Sequence, residues 1–253
     1  MSNLLEAHNI RVEYGSLVAL RDFTLELSAG ALLGMIGPNG AGKTTALKAI
    51  AGLLRPTAGW VRVLGHEVEP GDSRGRSQIG FAPDTPPVYD DLTVVDFLRF
   101  IGRAYWLRPE LTEERIDYWL EEVWLSDRRE AKIKSLSRGM RQRLTVARTL
   151  LPDPPLVLLD EPAAGLDPAG RVQFRKMLAG LRDQGKVLIV SSHILADLHE
   201  YCTHILIMEK GRIERCGTVA QVVGGKNDNR CRYDMTLARV VPDVGSVLSA
   251  LSG

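Results

Sequence analysis

The chain has 253 residues, 45% of them hydrophobic and 25% charged, with a formal net charge of +1 and 3 cysteines. That is enough to bury a sizeable core as one domain with an inserted subdomain, while near-neutral charge offers nucleic acid no global field, so no nucleic-acid partner is expected. An odd number of cysteines without C-x-x-C spacing fits a reducing compartment rather than a metal site, and with neither a leader-like start nor an apolar run near the roughly 20 residues of a membrane span, the reading is a soluble, cytoplasmic protein.

Along the chain, residues 5–14 and 22–27 alternate like an antiparallel strand pair, which residues 60–64 extend. Residues 31–36 (ALLGMI) read as a short buried strand and residues 44–51 as a helix stopped by Gly52. Between them Gly37-Pro38-Asn39-Gly40-Ala41-Gly42-Lys43-Thr44 fits G-x-x-x-x-G-K-[ST] at every fixed position. Glycines at 37, 40 and 42 let backbone N–H groups turn inward, and the helix N-terminus adds a partial positive charge. Lys43 supplies a full charge, the Thr44 hydroxyl can take a magnesium position, and Thr45 continues the phosphate site. A glycine turn that merely happened to end in Lys-Thr would need neither the flanking strand nor the helix.

Residues 78–82 (QIGFA) form another strand, followed by Asp84 in a loop stiffened by Pro83, Pro86 and Pro87. Thr93 opens a helix with Val94, Phe97, Leu98, Ile101 and Tyr105 on one stripe. Thr112 opens a second, with Ile116, Trp119, Leu120, Val123 and Trp124 at helical spacing and with Glu113 and Glu114 in the first turn, where the dipole favours acids. All tryptophans except Trp60 lie in this insert, and such aromatic stripes read as core. Residues 135–167 then pack a Ser-Arg-Gly turn, a basic helix and an apolar strand ending in Asp160-Glu161. The arginines of that helix, Arg138, Arg141, Arg143 and Arg148, read as a solvated or ion-paired face. Hard oxygens suit magnesium, so Asp160 would hold the ion while Glu161 would face an attacking water. Residues 186–190 are a strand leading to His193, residues 204–208 and 212–216 a closing hairpin, and residues 224–229 a linker before a short tail.

These residues closely resemble the nucleotide-binding subunits of ABC transporters. Residues 37–44 match their Walker A motif, 156–161 their Walker B with catalytic glutamate, and 136–140 (LSRGM) their LSGGQ signature. Residues 164–167 look like the D-loop, His193 stands where the switch histidine does, and Tyr14 where an aromatic ring stacks on adenine; the likeness spans residues 4–220 in family order. The resemblance implies an α/β fold: a P-loop NTPase (RecA-like) core with an antiparallel β subdomain (1–83 and 150–220), an inserted α-helical signature subdomain (84–149) and a short C-terminal extension (221–253).

It also implies a function: hydrolysis of ATP with Mg2+, with Glu161, His193 and Lys43 as catalytic residues. Two copies, or one copy and a paralogous subunit, would close head to tail, so that Ser137 and Gly139 of one touch the γ-phosphate held by the other; Asp167 of the D-loop would be a further nucleotide-binding residue. Transmembrane permease subunits would be the partners on the cytoplasmic face of the membrane, seated in a groove formed by the helical subdomain and residues 84–91. Two departures stand out. Arg138 and Met140 replace a consensus Gly and Gln in the signature, and Asp84 fills a slot that usually holds a magnesium-bridging glutamine, where a shorter side chain adds negative charge. The short segment after residue 220, LSRGM and Asp84 together point to an export-type system. Other readings remain beside these: Tyr14 as a hairpin cap, Asp167 as a helix N-cap, and the whole chain as a soluble ABC-type ATPase serving cofactor assembly or translation.

Overall fold

A computed structural model describes residues 3–85, 89–193, 198 and 200–223. The chain opens with β1 (Asn3–Tyr14), β2 (Leu17–Ser28), β3 (Leu32–Ile36), α1 (Lys43–Ile50), β4 (Ala58–Val63) and β5 (His66–Glu67). It continues through α2 (Ser73–Ser77), β6 (Ile79–Ala82), α3 (Val94–Ala104), α4 (Pro109–Glu122) and α5 (Arg138–Leu150). It closes with β7 (Leu156–Leu159), α6 (Pro168–Asp183), β8 (Val187–Ser192), β9 (His204–Glu209), β10 (Arg212–Thr218) and α7 (Val219–Val223). A 4-stranded antiparallel sheet has the order β2-β1-β4-β5, and a 6-stranded sheet the order β10-β9-β3-β8-β7-β6, parallel except at the β10 edge.

The parallel strands are apolar on both faces because both are covered. Leu32 and Ile36 of β3, Val157 and Leu159 of β7 and Leu188 and Val190 of β8 join one core with α3 to α6. The alternate residues Leu33, Met35, Leu156, Leu158, Val187 and Ile189 join a second core with α1 and the antiparallel sheet. A strand period of two thus welds the parallel strands to both flanking layers.

Helix starts follow local chemistry. Thr93 caps α3 by accepting the Asp96 N–H at 3.1 Å, and its hydroxyl in turn donates to the Asp96 carboxylate at 2.7 Å. Helix α4 begins at Pro109 rather than Thr112, since a proline at the first helical position forfeits an N–H that has no intrahelical partner. Glu113 and Glu114 therefore sit in the second turn. Glu113 instead forks onto Arg99 at 2.6 and 3.0 Å and meets Arg129 at 2.7 Å, and this pairing, the Arg99 hydrogen bond first, lowers its pKa. Thr112 is buried, its hydroxyl donating to the Arg108 carbonyl at 2.9 Å.

The aromatic insert is only partly core. Phe97, Ile116, Trp119 and Leu120 are buried, but Tyr105 ends up as the exposed C-cap residue of α3 and Trp106 is 94% exposed. Trp106 has φ 57°, a left-handed turn that swings its side chain off the helical stripe. The strand pattern holds, with β2 extending back to Leu17 across an irregularity at Asp22 (φ 52°). Pro86, Pro87, the 224–229 linker and the tail lie outside the described residues.

Candidate functional site

The phosphate loop is shaped by crowding. A Cβ on Gly37 would stand 2.4 Å from the Met208 carbonyl oxygen, and one on Gly42, at φ 102°, 2.8 Å from the Ala19 carbonyl oxygen. The turn of the β9–β10 hairpin clasps the loop from outside: the Gly211 N–H donates to the Ala41 carbonyl at 3.0 Å, and the Arg21 N–H donates to the Gly211 carbonyl at 2.8 Å. Helix α1 has no side-chain cap, which leaves its first N–H groups for an anion.

Parallel pairing sets the acids beside this loop. Lys43, 7% exposed, donates from Nζ to the Gly37 carbonyl at 2.6 Å and stands 3.8 Å from Glu161 Oε1. The Thr44 hydroxyl donates to Asp160 Oδ2 at 2.7 Å. Ser191, in the neighbouring strand, donates to Asp160 Oδ1 at 2.6 Å and accepts the Glu161 N–H at 2.9 Å. Sequence reasoning passed over Ser191; its signal was a hydroxyl at the end of an apolar strand, just before His193. Glu161 itself adopts φ 48°, a conformation uncommon outside glycine that turns its carboxylate to His193, whose Nδ1 lies 3.0 Å from Oε2.

One pocket of about 670 Å³ gathers Tyr14, residues 38–45, Asp84, Asp160 and Glu161. Tyr14 is half exposed at the end of the β1–β2 hairpin, so it both closes that hairpin and walls the pocket. Magnesium takes hard oxygens, few of them from protein. The Thr44 hydroxyl, the buried Asp160 carboxylate and Asp84 fit that demand, and among the described residues no cluster of three or more His, Cys, Asp or Glu forms a metal site of another kind. Cys202 is buried, its thiol pushed up to about 12 by desolvation, and offers no nucleophile.

Ser137, Gly139 and Asp167 lie apart from that pocket, around a depression of about 320 Å³ shared with Arg143 and Leu166. Ser137 caps α5, accepting the Met140 N–H at 3.2 Å, and Asp167 caps α6, accepting the Gly170 N–H at 2.7 Å. Met140 packs against the core, which explains an apolar residue at that signature position, while Arg138 is exposed. Of the other arginines on the helix, Arg141 pairs with Asp90, Arg143 donates to the Val123 and Trp124 carbonyls, and Arg148 donates to the Phe81 carbonyl at 2.8 Å.

A third hollow, about 660 Å³, lies between the parallel sheet and the helical insert, walled by Leu53, Phe81, Tyr105 and Trp106 with Arg76 and Arg148. Among the described residues no acidic side chain lines it. Burial lowers the Arg148 pKa from its ordinary value.

The ABC transporter family model matches residues 20–164. The Nod factor export ATP-binding protein I of Cupriavidus metallidurans is 35% identical over 212 residues, covering 84% of this chain and 70% of that protein. The chain spans 58–65% of the length of three further relatives. A solved ATP binding subunit of an ABC transporter superposes with a TM-score of 0.81 at 32% identity, over 87% of this chain and 91% of that one. The ATP-binding cassette MJ0796, a dimer in a post-hydrolysis state with ADP and Pi, does so with a TM-score of 0.78 at 25% identity, over 85% and 98%. On the motifs, the fold and these likenesses together, the chain belongs to the ABC transporter family as an ATP-binding subunit.

Proposed function

We propose that the chain hydrolyses ATP in the pocket between Tyr14 and Glu161 and thereby drives substrate through separate membrane permease subunits. The observation that carries this is the joining of Lys43, Thr44, Asp160, Glu161 and His193, with Ser191 bridging Asp160 and Glu161, by contacts of 2.6–3.8 Å at one end of a parallel sheet. Backbone N–H groups of residues 37–45 and the Lys43 ammonium hold the phosphates, and Tyr14 stacks on the base. Thr44, Asp160 and Asp84 would hold magnesium, which supplies charge neutralisation for the phosphate chain. Glu161, fixed between Lys43 and His193, orients the attacking water and takes up its proton, while Ser191 keeps Asp160 and the Glu161 backbone in register. The chemistry is mostly positioning and charge stabilisation.

The separation of Ser137 and Gly139 from their own pocket supports the head-to-tail dimer, in which they approach the phosphate held by a second copy or a paralogue. Among the described residues no helix is long and apolar enough to cross a membrane. The hollow at Trp106 suits a permease segment docking at the cytoplasmic face. The likeness to a Nod factor export protein favours an export-type system. Glu161→Gln tests the assignment: ATP binding persists, closed dimers accumulate, and turnover falls at least about 100-fold. Turnover at the parent rate removes Glu161 from this role.

A further inference from the structure

Helix α4 closes with the Trp124 N–H donating to the Glu121 carbonyl at 3.0 Å and the Leu125 N–H donating to the Leu120 carbonyl at 2.8 Å. Leu120 and Leu125 are buried in the same core. In this kind of helix end glycine is the usual residue at the left-handed position. Here that position holds Trp124, at φ 54°. A bulky side chain in such a conformation costs free energy that glycine does not, so the ring calls for a reason beyond ending the helix.

The strained residue is held from a neighbouring helix. Arg143 of α5 donates from Nη1 to the Val123 and Trp124 carbonyls, both at 3.3 Å, and α5 is the helix that Ser137 caps. Strain that surrounding structure enforces in this way clusters at binding sites. Trp124 is half-buried, and with Arg143 it walls the depression of about 320 Å³ that holds Ser137, Gly139, Gly165 and Asp167. Among the described residues its indole N–H has no hydrogen-bond partner, although a tryptophan N–H usually finds one when it is buried.

We infer that Trp124 is a contact residue of the head-to-tail dimer, its ring meeting the phosphate-loop face of a second copy beside the point where Ser137 and Gly139 meet that copy's γ-phosphate. The same depression holds Ser137, Gly139 and Trp124, so the body that presents a phosphate to the first two also lies over the third. A rigid ring with an unspent N–H is the residue type that concentrates binding energy in protein interfaces. Glycine would end α4 equally well but would leave the depression without this apolar wall. The inference rests on the head-to-tail reading and adds to it a residue outside the signature motif.

The test is the monomer–dimer equilibrium of the purified full-length chain carrying Glu161→Gln, followed by sedimentation with ATP and magnesium, beside its melting temperature without nucleotide. Trp124→Gly and Trp124→Asn both remove the ring, and both new residues accept the left-handed conformation. Each is expected to raise the dimer dissociation constant at least about tenfold, while the ATP affinity of the dilute monomer stays within about twofold of the parent's. Trp124→Phe keeps an aromatic ring and is expected to recover most of the loss. Dimers as tight as the parent's in both ringless variants, whatever their melting temperatures, or a Phe variant as weak as they are, overturn the inference. Ser137→Arg in the same background is the parallel control. ATP-dependent dimers that survive it, or their absence from the Glu161→Gln parent, overturn the head-to-tail reading and this inference together; their loss there beside intact dimers of the ringless variants overturns the inference alone.

Discussion

Gly139 and Gly165 of the same chain touch: a Cβ on Gly139 would stand 2.9 Å from the Gly165 carbonyl oxygen. The signature glycine is thus constrained by its own D-loop within one chain. From Gly165 the D-loop leads back to Glu161 through backbone bonds, Leu166 N–H to the Ala163 carbonyl and Ala164 N–H to the Glu161 carbonyl. Gly139→Ala is therefore expected to leave ATP binding at Lys43 intact, to raise hydrogen exchange at residues 163–167 in the isolated subunit, and to lower turnover at least about tenfold. Unchanged exchange there, with turnover lost, would place the whole effect across the dimer.

Ser191→Ala removes one of the donors to a buried carboxylate and the acceptor of the Glu161 N–H. The expected loss is about 1–3 kcal/mol of stability, together with weaker magnesium-dependent ATP binding. Chemical denaturation and nucleotide titration of the same preparation check both. Stability and affinity equal to the parent's would show that Asp160 finds a substitute donor.

Trp106→Ala should change stability by no more than about 0.5 kcal/mol, because the ring is almost wholly exposed and buries little. Basal ATP hydrolysis stays as it was. Stimulation by the permease, or recovery with it from detergent extracts, falls if this ring fills the partner's face of the hollow. Full recovery of the partner by the variant would move the docking surface elsewhere.

Glu113 carries a pH signature. The hydrogen bond from Arg99 and the charges of Arg99 and Arg129 hold its pKa below the ordinary carboxylate value. A group depressed in the folded state stabilises above its unfolded pKa and loses that contribution as pH falls through the folded one. Glu113→Gln should accordingly lower the melting temperature at neutral pH, and the two proteins should converge in acid. A constant gap across that range would assign the loss to packing.

The phosphate loop was legible in the sequence because its glycines, its lysine and its flanking strand and helix all lie within residues 31–51, where local geometry alone decides the outcome. Asp160-Glu161 was legible for a similar reason, as an acidic end to an apolar strand. Ser191 was not, since its bond to Asp160 depends on β7 pairing with β8, a contact 31 residues away in sequence. Helical spacing draws Tyr105 into the core stripe and the aromatic content of the insert draws in Trp106, but helix α3 stops at Ala104 and Trp106 is left-handed, which periodicity does not register. The start of α4 moved to Pro109 because a proline at the first helical position outweighed the threonine three residues on. Gln142 reads from sequence as one more polar residue on a basic helix; only the packing of α5 against β6 reveals that it is buried.

The clasp of Gly211 on Ala41 has a thermodynamic consequence for the transport cycle. Protein backbone on both flanks already holds the phosphate loop in shape, so a nucleotide entering it spends little of its binding free energy on ordering that segment. In the proposed transporter the remainder would be free to act at a distance, on the approach of a second copy and on a permease. A substitution that loosens the hairpin turn, far from any reacting atom, would divert that energy back into folding the loop, and ATP would bind without moving cargo.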